Sequence, residues 1–273
     1  MKKYELIVSD LDGTLLGSDM QLSEKNRDAI EKLCEMGIKF VPSSGRTFYE
    51  IPSSVRENPN IRYIVYSNGT AIYDKEAGCD IVSNRISKDT VTEALDILSD
   101  YDVFLSTHSD GHALVDVKIV DKDYAHYQIN DYYKSLFMKA SKTDGINAFT
   151  RTSDAVEALV IFFHSDRELV MCQKRLQKID GITVTSSIGH NIELCSAKAG
   201  KGEALAALAK ILEIPKEKII AVGDNMNDVS MFTECGLSLC TKNGNEEAKK
   251  LADRVICSNN DGISDYVLNY IIG

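Results

Sequence analysis

Near its start the chain reads LIVSDLDGT over residues 6–14, a short apolar run that breaks off into polar and acidic residues. Such a run is typical of a strand that is buried on both faces of a parallel sheet. Residues 219–224 read IIAVGD and also end in an aspartate. Ligand sites of parallel α/β sheets lie beyond the carboxyl ends of the strands. We therefore predict that Asp10, Asp12 and Asp224 come together at one edge of a sheet.

The pattern around these runs predicts alternating strands and helices. A helix begins after Ser23, which is typical of a helix N-cap, and ends near Gly37. Asn68-Gly69 predicts a hairpin turn before a strand at 71–73. Further apolar segments of strand length lie at residues 38–41, 63–66, 237–240 and 255–257. Strands that alternate with helices predict an α/β fold with a parallel sheet.

A stretch of different character separates the two halves of this pattern. Residues 84–191 contain helical patterns near 88–100 and 166–179 and a long apolar strand at 156–163. Because the first pattern resumes afterwards, we predict a core domain of residues 1–83 and 192–273, interrupted by an inserted domain of residues 84–191.

Composition excludes several classes of protein. The 273 residues include 41 acidic and 31 basic side chains, a net charge of −10, which argues against nucleic acid as a partner. With 44% hydrophobic residues the chain is globular, yet no window reaches the ~20 apolar residues that span a membrane. The seven cysteines stand singly, without a C-x-x-C pair, which predicts reduced thiols and a cytoplasmic location.

Carboxylates that meet at one sheet edge require a cation. Gathered together they would repel one another, and oxygen ligands alone are typical of a hard ion such as Mg²⁺. Four residues are therefore candidate metal ligands: Asp10, Asp12, Asp224 and Asp228. Taken singly, the motifs have ordinary explanations, since Asp12-Gly13 is a common turn, Asn227-Asp228 is a possible helix cap, and Lys201 is a possible solvated lysine.

The order of the motifs is more specific than any one of them. Asp10-x-Asp12-Gly13-Thr14 is followed by Ser44-Gly45-Arg46, then Lys201-Gly202, then Gly223-Asp224-x-x-Asn227-Asp228. This order resembles the haloacid dehalogenase-like (HAD) phosphohydrolases, and most of all the Cof-like branch with a large C2-type α/β cap. The resemblance covers the whole chain. It implies the HAD fold, a Rossmann-like parallel-sheet core with an inserted α/β cap domain.

The resemblance also implies roles for individual residues. Asp10 would be the nucleophile that forms an aspartyl phosphate, and Asp12 would protonate the leaving group, which requires a protonated carboxyl beside other carboxylates. Mg²⁺ would be held by Asp10, the Asp12 backbone carbonyl, Asp224 and Asp228. Substrate contacts would come from the polar residues of the remaining motifs: Ser44, Gly45, Arg46, Asn68, Lys201 and Asn227. For Arg46 two interpretations stay open, a bidentate contact to phosphate or a salt bridge within its loop.

Asp12 favours phosphoester hydrolysis over dehalogenation, because an alkoxide needs a proton to leave and a halide does not. The resemblance implies a phosphatase for small phosphorylated metabolites such as sugar phosphates, nucleotides or phosphorylated cofactors. Two alternatives remain: a phosphomutase of the phosphomannomutase type, and a non-catalytic sugar-phosphate-binding protein. The oligomeric state is open. His126, His164 and His190 show no partner in the sequence and are interpreted as structural.

Overall fold

The computed structural model describes residues 3–119, 121–186 and 190–272. Its strands are β1 Leu6–Asp10, β2 Lys39–Ser43, β3 Tyr63–Tyr66, β4 Ala71–Asp74, β5 Cys79–Ser83, β6 Val103–Ser109, β7 His112–Asp116, β8 Ser141–Thr143, β9 Val156–Phe163, β10 Ile182–Thr185, β11 Asn191–Ser196, β12 Ile219–Gly223, β13 Leu237–Thr241 and β14 Arg254–Ile256. Its α-helices are α1 Glu24–Glu35, α2 Ser53–Arg56, α3 Lys88–Leu98, α4 Asp121–His126, α5 Asp131–Lys139, α6 Ile146–Thr152, α7 Asp166–Leu176, α8 Lys201–Ile211, α9 Val229–Phe232, α10 Glu246–Leu251 and α11 Ile263–Val267. Within the described ranges, no helix has the length and hydrophobicity needed to span a bilayer.

Contacts divide the chain into two compact units. The first comprises the chain up to Arg46, then Ile51–Ser83, and the chain from Gly200 onward. Its sheet has the order β14-β13-β12-β1-β2-β3-β4-β5. Strands from β14 to β3 run parallel, whereas β3, β4 and β5 pair antiparallel. The predicted parallel α/β core is therefore confirmed, and so is the hairpin at Asn68-Gly69, which joins β3 to β4.

The order of this sheet reverses beside β1. The chain first adds β2 and β3 on one side of β1, and later adds β12, β13 and β14 on the other. A reversal of this kind opens a crevice at the carboxyl ends of the strands, where ligands bind in such sheets. Asp10 is the last residue of β1, Ser43 is its neighbour in β2, and Asp224 directly follows β12. The strand register alone thus places these three residues at the same edge.

Apolar packing fixes β1 in the centre of the first unit. All five residues of β1 are buried. Leu6 and Val8 pack in one cluster with Leu205 and Leu208 of α8. Because the apolar part of the strand is buried on both faces, its polar end is held rigidly at the sheet edge. The predicted cap of α1 is also confirmed, since the Ser23 side chain accepts a hydrogen bond from the Asn26 backbone.

The second unit comprises Thr47–Glu50 and Asn84–Ala199. Its sheet has the order β10-β11-β9-β6-β7-β8 and is antiparallel apart from the β7–β8 pair. Alternate residues of β9 face two different apolar clusters: Leu159 and Ile161 pack with α3 and α7, and Phe162 packs with Phe104 and Phe137. This unit therefore has a core of its own.

The second unit extends to Ala199, beyond the predicted boundary at 191. The reason is β11, which pairs antiparallel with β9 and sets Ile192 opposite Ile161 and Leu194 opposite Leu159. Ile192 and Leu194 are fully buried in the apolar cluster of this unit. The apolar pattern after residue 191, which the sequence assigned to the core domain, thus belongs in part to the second unit.

Candidate active site

A buried ammonium group joins two carboxylates at the edge where β1 and β12 end. Lys201 Nζ donates hydrogen bonds to Asp10 Oδ1 at 2.5 Å and to Asp228 Oδ1 at 2.6 Å. The Lys201 side chain is 1% exposed, and those of Asp10 and Asp228 are 8% and 0% exposed. Buried charges are tolerated only when they are paired in this way. Lys201 is therefore a buried, paired residue of the site and not a solvated lysine at the start of α8.

Asp228 also shapes the loop that carries Asp224. Its Oδ2 atom accepts hydrogen bonds from the backbone N–H groups of Asp224 at 2.9 Å and Asn225 at 3.0 Å. The bond from Asn225 is one half of a capping box on the short 3₁₀ turn Met226–Asp228, in which the Asn225 side chain accepts from the Asp228 backbone in return. The N-cap of this turn is Asn225 and not Asn227 or Asp228, and Asp228, the N-cap of α9, makes no side-chain cap hydrogen bond there, so the predicted helix cap at Asn227-Asp228 is wrong. One side chain fixes both the ammonium group and the backbone of the neighbouring acidic loop.

The loop after β1 approaches Asp224 very closely. Thr14 Oγ1 donates to Asp224 Oδ1 at 3.0 Å. Gly13 has φ +82°, and a Cβ added there would lie 2.5 Å from Asp224 Oδ2. Asn243 Nδ2 donates to the Gly13 carbonyl at 2.7 Å. Glycine at position 13 is required both by the backbone conformation and by the space that Asp224 occupies.

Three carboxylates share the one ammonium of Lys201. Asp10, Asp224 and Asp228 each offer an oxygen within 4.8 Å of the others. Burial raises the pKa of Asp10 well above its usual range; attraction to Lys201 acts against this shift, and repulsion by Asp228 and Asp224 adds to it. Burial, followed by repulsion from Asp228, also raises the pKa of Asp224. Burial alone would lower the pKa of Lys201, but its two carboxylate partners hold it above the usual value.

The donor set therefore fits a hard divalent cation. All donors in the cluster are carboxylate oxygens, which are the ligands of Mg²⁺ and Ca²⁺, and no soft sulfur or imidazole group belongs to it. Burial, with added repulsion between the carboxylates, raises the aspartate pKa values, and such a cation would offset that repulsion.

Asp12 does not belong to the carboxylate cluster, contrary to the prediction that its carboxyl lies among the others. Arg46 Nε and Nη2 donate to its two oxygens at 2.8 and 2.7 Å. Of the two interpretations of Arg46, the structure contains the salt bridge. Arg46 thus occupies both carboxylate oxygens of Asp12, the residue to which the resemblance assigns the proton transfer.

The remaining predicted residues lie in or next to the loop after β2. Ser44 is buried, and its Oγ accepts the backbone N–H of Arg46 at 3.1 Å. Its carbonyl accepts the Asn68 backbone N–H at 2.9 Å. A Cβ added to Gly45 would lie 3.0 Å from Asn68 Oδ1, which itself accepts from Asn227 Nδ2 at 3.3 Å. The structure thus brings Ser44, Gly45, Asn68 and Asn227 together.

Sequence reasoning missed three residues of this edge. Ser43 lies opposite Asp10 in the strand register, and its buried Oγ has no hydrogen-bond partner among the described residues. Thr14 and Asn243 hold the Asp224 side chain and the Gly13 carbonyl. Asn243 follows β13 closely, so the rule that polar residues at the carboxyl ends of parallel strands form the site would have found it.

Gly69 offers a test of the close approach that positions Lys201. It has φ +87°, and an added Cβ would lie 2.1 Å from the Gly200 carbonyl oxygen. We expect Gly69→Ala to displace the start of α8 and to lower both stability and turnover. Gly78→Ala is the matched control, because φ is +70° there and no atom lies within 4 Å of the added Cβ. It should show only the left-handed backbone penalty of about 1–2 kcal/mol in urea unfolding; equal losses in the two variants would contradict the close-packing argument.

Comparison with known proteins relates the whole chain to one family. A family model described as haloacid dehalogenase-like hydrolase matches residues 7–267. Phosphatase YwpJ of Bacillus subtilis is 31% identical, with 98% of this chain and 100% of the relative covered. The B. subtilis 5-amino-6-(5-phospho-D-ribitylamino)uracil phosphatase YwtE is 27% identical, with 97% of each chain covered.

The fold is shared with a solved structure. A haloacid dehalogenase-like hydrolase from Bacteroides thetaiotaomicron matches with a TM-score of 0.84 at 24% identity, over 98% of this chain and 100% of the other. The predicted fold class is therefore confirmed, and the family predicted from the four ordered motifs is confirmed by the match over residues 7–267. The chain belongs to the haloacid dehalogenase-like hydrolases.

Proposed function

We propose that this protein is a magnesium-dependent phosphatase that hydrolyses phosphate monoesters of small metabolites through an aspartyl phosphate on Asp10. The observation that carries the proposal is the buried Lys201 between Asp10 and Asp228, beside a third carboxylate. Two relatives from B. subtilis are named phosphatases, one of them for a phosphorylated ribitylaminouracil. All seven cysteines fall in described ranges and are free thiols, which supports the proposed cytoplasmic location.

The electrostatics of the site set what it can bind. Three carboxylates and one ammonium leave a surplus of negative charge, and a phosphate dianion would add more. Mg²⁺ would be held by Asp10 and Asp224, with the Asp12 backbone carbonyl and Asp228 as further donors, and would offset this charge and polarise the phosphoryl group. Both Asp228 oxygens already accept hydrogen bonds. We therefore assign Asp228 chiefly to holding Lys201 and the Asp224 backbone.

The chain's own residues account for a two-step displacement. An Asp10 oxygen forms a bond to phosphorus while the bond from phosphorus to the ester oxygen breaks, and the leaving alkoxide takes a proton from Asp12. Water then attacks the aspartyl phosphate and gives its proton to Asp12, which releases orthophosphate and restores Asp10. Lys201 neutralises charge on Asp10 and the phosphoryl oxygens, and Ser44 and Gly45 would hold those oxygens.

Asp12 transfers the proton in the first step, yet both of its oxygens accept hydrogen bonds from Arg46. We propose that the substrate phosphate takes over the Arg46 donors, since a dianion competes well for a bidentate guanidinium. The Asp12 carboxyl would then be released from its guanidinium partner and available for proton transfer. Arg46 would thus form the salt bridge with Asp12 before the substrate binds and the bidentate contact to phosphate afterwards.

Asp12→Asn tests the proton-transfer role. With an alkyl phosphate we expect turnover to fall about 10²–10⁴-fold, because no group protonates the alkoxide. With p-nitrophenyl phosphate the leaving group needs no proton, so one enzyme equivalent of nitrophenol should appear in a burst while the phosphoenzyme persists. Stopped-flow absorbance measures the burst. The control is Asp19→Asn, an exposed aspartate of the same loop; absence of a burst in Asp12→Asn would contradict the assignment.

The proposed function is tested by phosphate release from a panel of sugar phosphates, nucleotides and phosphorylated cofactors. We expect release from several of them with Mg²⁺ and none after treatment with EDTA. Isomerisation of a sugar phosphate that depends on a bisphosphate activator would support a mutase instead. Binding without release would support a sensor. Release that persists in EDTA would overturn the magnesium dependence.

The raised aspartate pKa values predict how Mg²⁺ binding depends on pH. Protons compete with the cation for Asp10 and Asp224, whose pKa values burial raises above the usual range. The apparent Mg²⁺ affinity should therefore fall as the pH falls, starting at a higher pH than an ordinary aspartate would give. Calorimetric titrations between about pH 8 and pH 5 measure this. A constant affinity over that range would mean that these carboxylates do not bind the ion.

A further inference from the structure

A second group of metal-ligating side chains lies in the unit that contains Asn84–Ala199. Asp102, His126 and His164 each offer a ligand atom within 4.8 Å of the others. His126 Nε2 lies 2.8 Å from Asp102 Oδ2, and His164 Nδ1 lies 3.9 Å from the same oxygen. The two imidazole rings are parallel within 3°, with centroids 5.1 Å apart. Two imidazoles and a carboxylate thus converge on one small volume.

Strand pairing and a helix end bring these residues together. Asp102 directly precedes β6 and His164 directly follows β9, and the antiparallel pairing of Val103 with Phe163 sets them side by side. His126 is the last residue of α4. The Tyr127 hydroxyl donates to Asp102 Oδ1 at 2.8 Å, which leaves Oδ2 turned toward the histidines. The arrangement is therefore fixed by the fold.

Glu168 adds an independent observation. It lies in α7, one helical turn after His164, and its Oε2 is 3.5 Å from His164 Nδ1. This oxygen is buried and accepts no hydrogen bond from any described residue. A buried carboxylate oxygen without a donor is unfavourable. A cation at the cluster would supply the missing partner.

We propose that Asp102, His126, His164 and Glu168 bind a divalent transition-metal ion of the Zn²⁺ class. Two imidazole nitrogens and two carboxylate oxygens form a donor set that four-coordinate zinc uses, whereas Mg²⁺ prefers oxygen alone. The side chains are 34–53% exposed, so the ion can reach them and they can adjust to its geometry. Bound there, the ion ties the end of α4 and the start of α7 to the β6–β9 strand pair.

The test is a titration of the full-length protein in saturating Mg²⁺, which by the proposed function would occupy the carboxylate cluster of the other unit. Calorimetry with Zn²⁺ should find one further equivalent, and thermal unfolding should shift to higher temperature because the ion binds only the folded chain. Titration with Co²⁺ should give a visible spectrum of nitrogen and oxygen ligands without thiolate charge transfer, which separates this site from the free cysteines. None of these readouts depends on phosphatase activity.

Variants assign the ligands. His126→Gln, His164→Gln and Glu168→Gln should each weaken Zn²⁺ binding more than about tenfold. His190→Gln is the matched control, because this exposed histidine also pairs with an aspartate, Asp166, at 2.9 Å; it should bind Zn²⁺ as the wild type does. The proposal is overturned if the wild type takes up no further equivalent, if thiolate absorption appears, or if His190→Gln loses the site as well.

Discussion

Asp10→Asn should abolish phosphate release, by on the order of 10⁴-fold or more, while the fold survives. The amide is nearly isosteric with the carboxylate but cannot attack phosphorus. Since Lys201 keeps Asp228 as a partner at 2.6 Å, its ammonium stays paired in the variant. The neutral amide also removes one of three neighbouring carboxylates that repel one another, so stability without Mg²⁺ should not fall. Phosphate release and urea unfolding measure the two effects.

The covalent intermediate gives a second readout for Asp10. Acid quenching of the working enzyme, followed by mass spectrometry of the peptide that contains residue 10, should find a phosphoryl group in the wild type and none in Asp10→Asn. Asp28→Asn changes an exposed aspartate of α1 and should leave both the adduct and the rate unchanged. Near-normal turnover in Asp10→Asn would show that this residue is not the nucleophile.

Lys201→Met should lose both turnover and stability. Removing one member of a buried ion pair costs about 3–5 kcal/mol, and here it leaves Asp10 and Asp228 without the ammonium they share. Excess Mg²⁺ should restore part of the stability, because it offsets the same negative charge. Urea unfolding with and without Mg²⁺ measures the loss and the recovery.

Two further variants separate charge from packing at Lys201. Lys210→Met changes an exposed lysine of the same helix and should alter stability by less than about 0.5 kcal/mol. Adding Asp228→Asn to Lys201→Met removes one uncompensated charge, so stability should recover in part while turnover does not. If Lys201→Met were as stable as Lys210→Met, the buried pair would contribute nothing to the fold.

The chemistry of the core site was predictable because it is carried by short local patterns. The apolar runs ending at Asp10 and Gly223 predict buried parallel strands, and parallel strands end at a common edge. The nearness of Asp10 and Asp224 follows from that rule without any coordinates. The role of Lys201 could be predicted only together with the other motifs, because a lysine at a helix start is by itself explained as a solvated side chain.

The partners of individual side chains were not predictable in the same way. Nothing near Asp12 in sequence indicates that Arg46 occupies both of its oxygens. The same holds for β11, whose apolar residues fit either sheet until pairing with β9 assigns them. His126 and His164 have no shared motif, yet strand register and a helix end set them beside Asp102.

Strand and helix periodicity and each single motif depend on residues within a few positions of one another, so the sequence determines them, and the order of the motifs can be read along the chain. The meeting of the acidic strand ends follows because parallel strands end at a common edge. The contact between Asp10 and Lys201 joins residues 191 positions apart, and its burial depends on how β1, β12 and α8 pack. The pairing of Asp12 with Arg46 and the second cluster of possible ligands depend on such long-range packing, which local pattern does not encode.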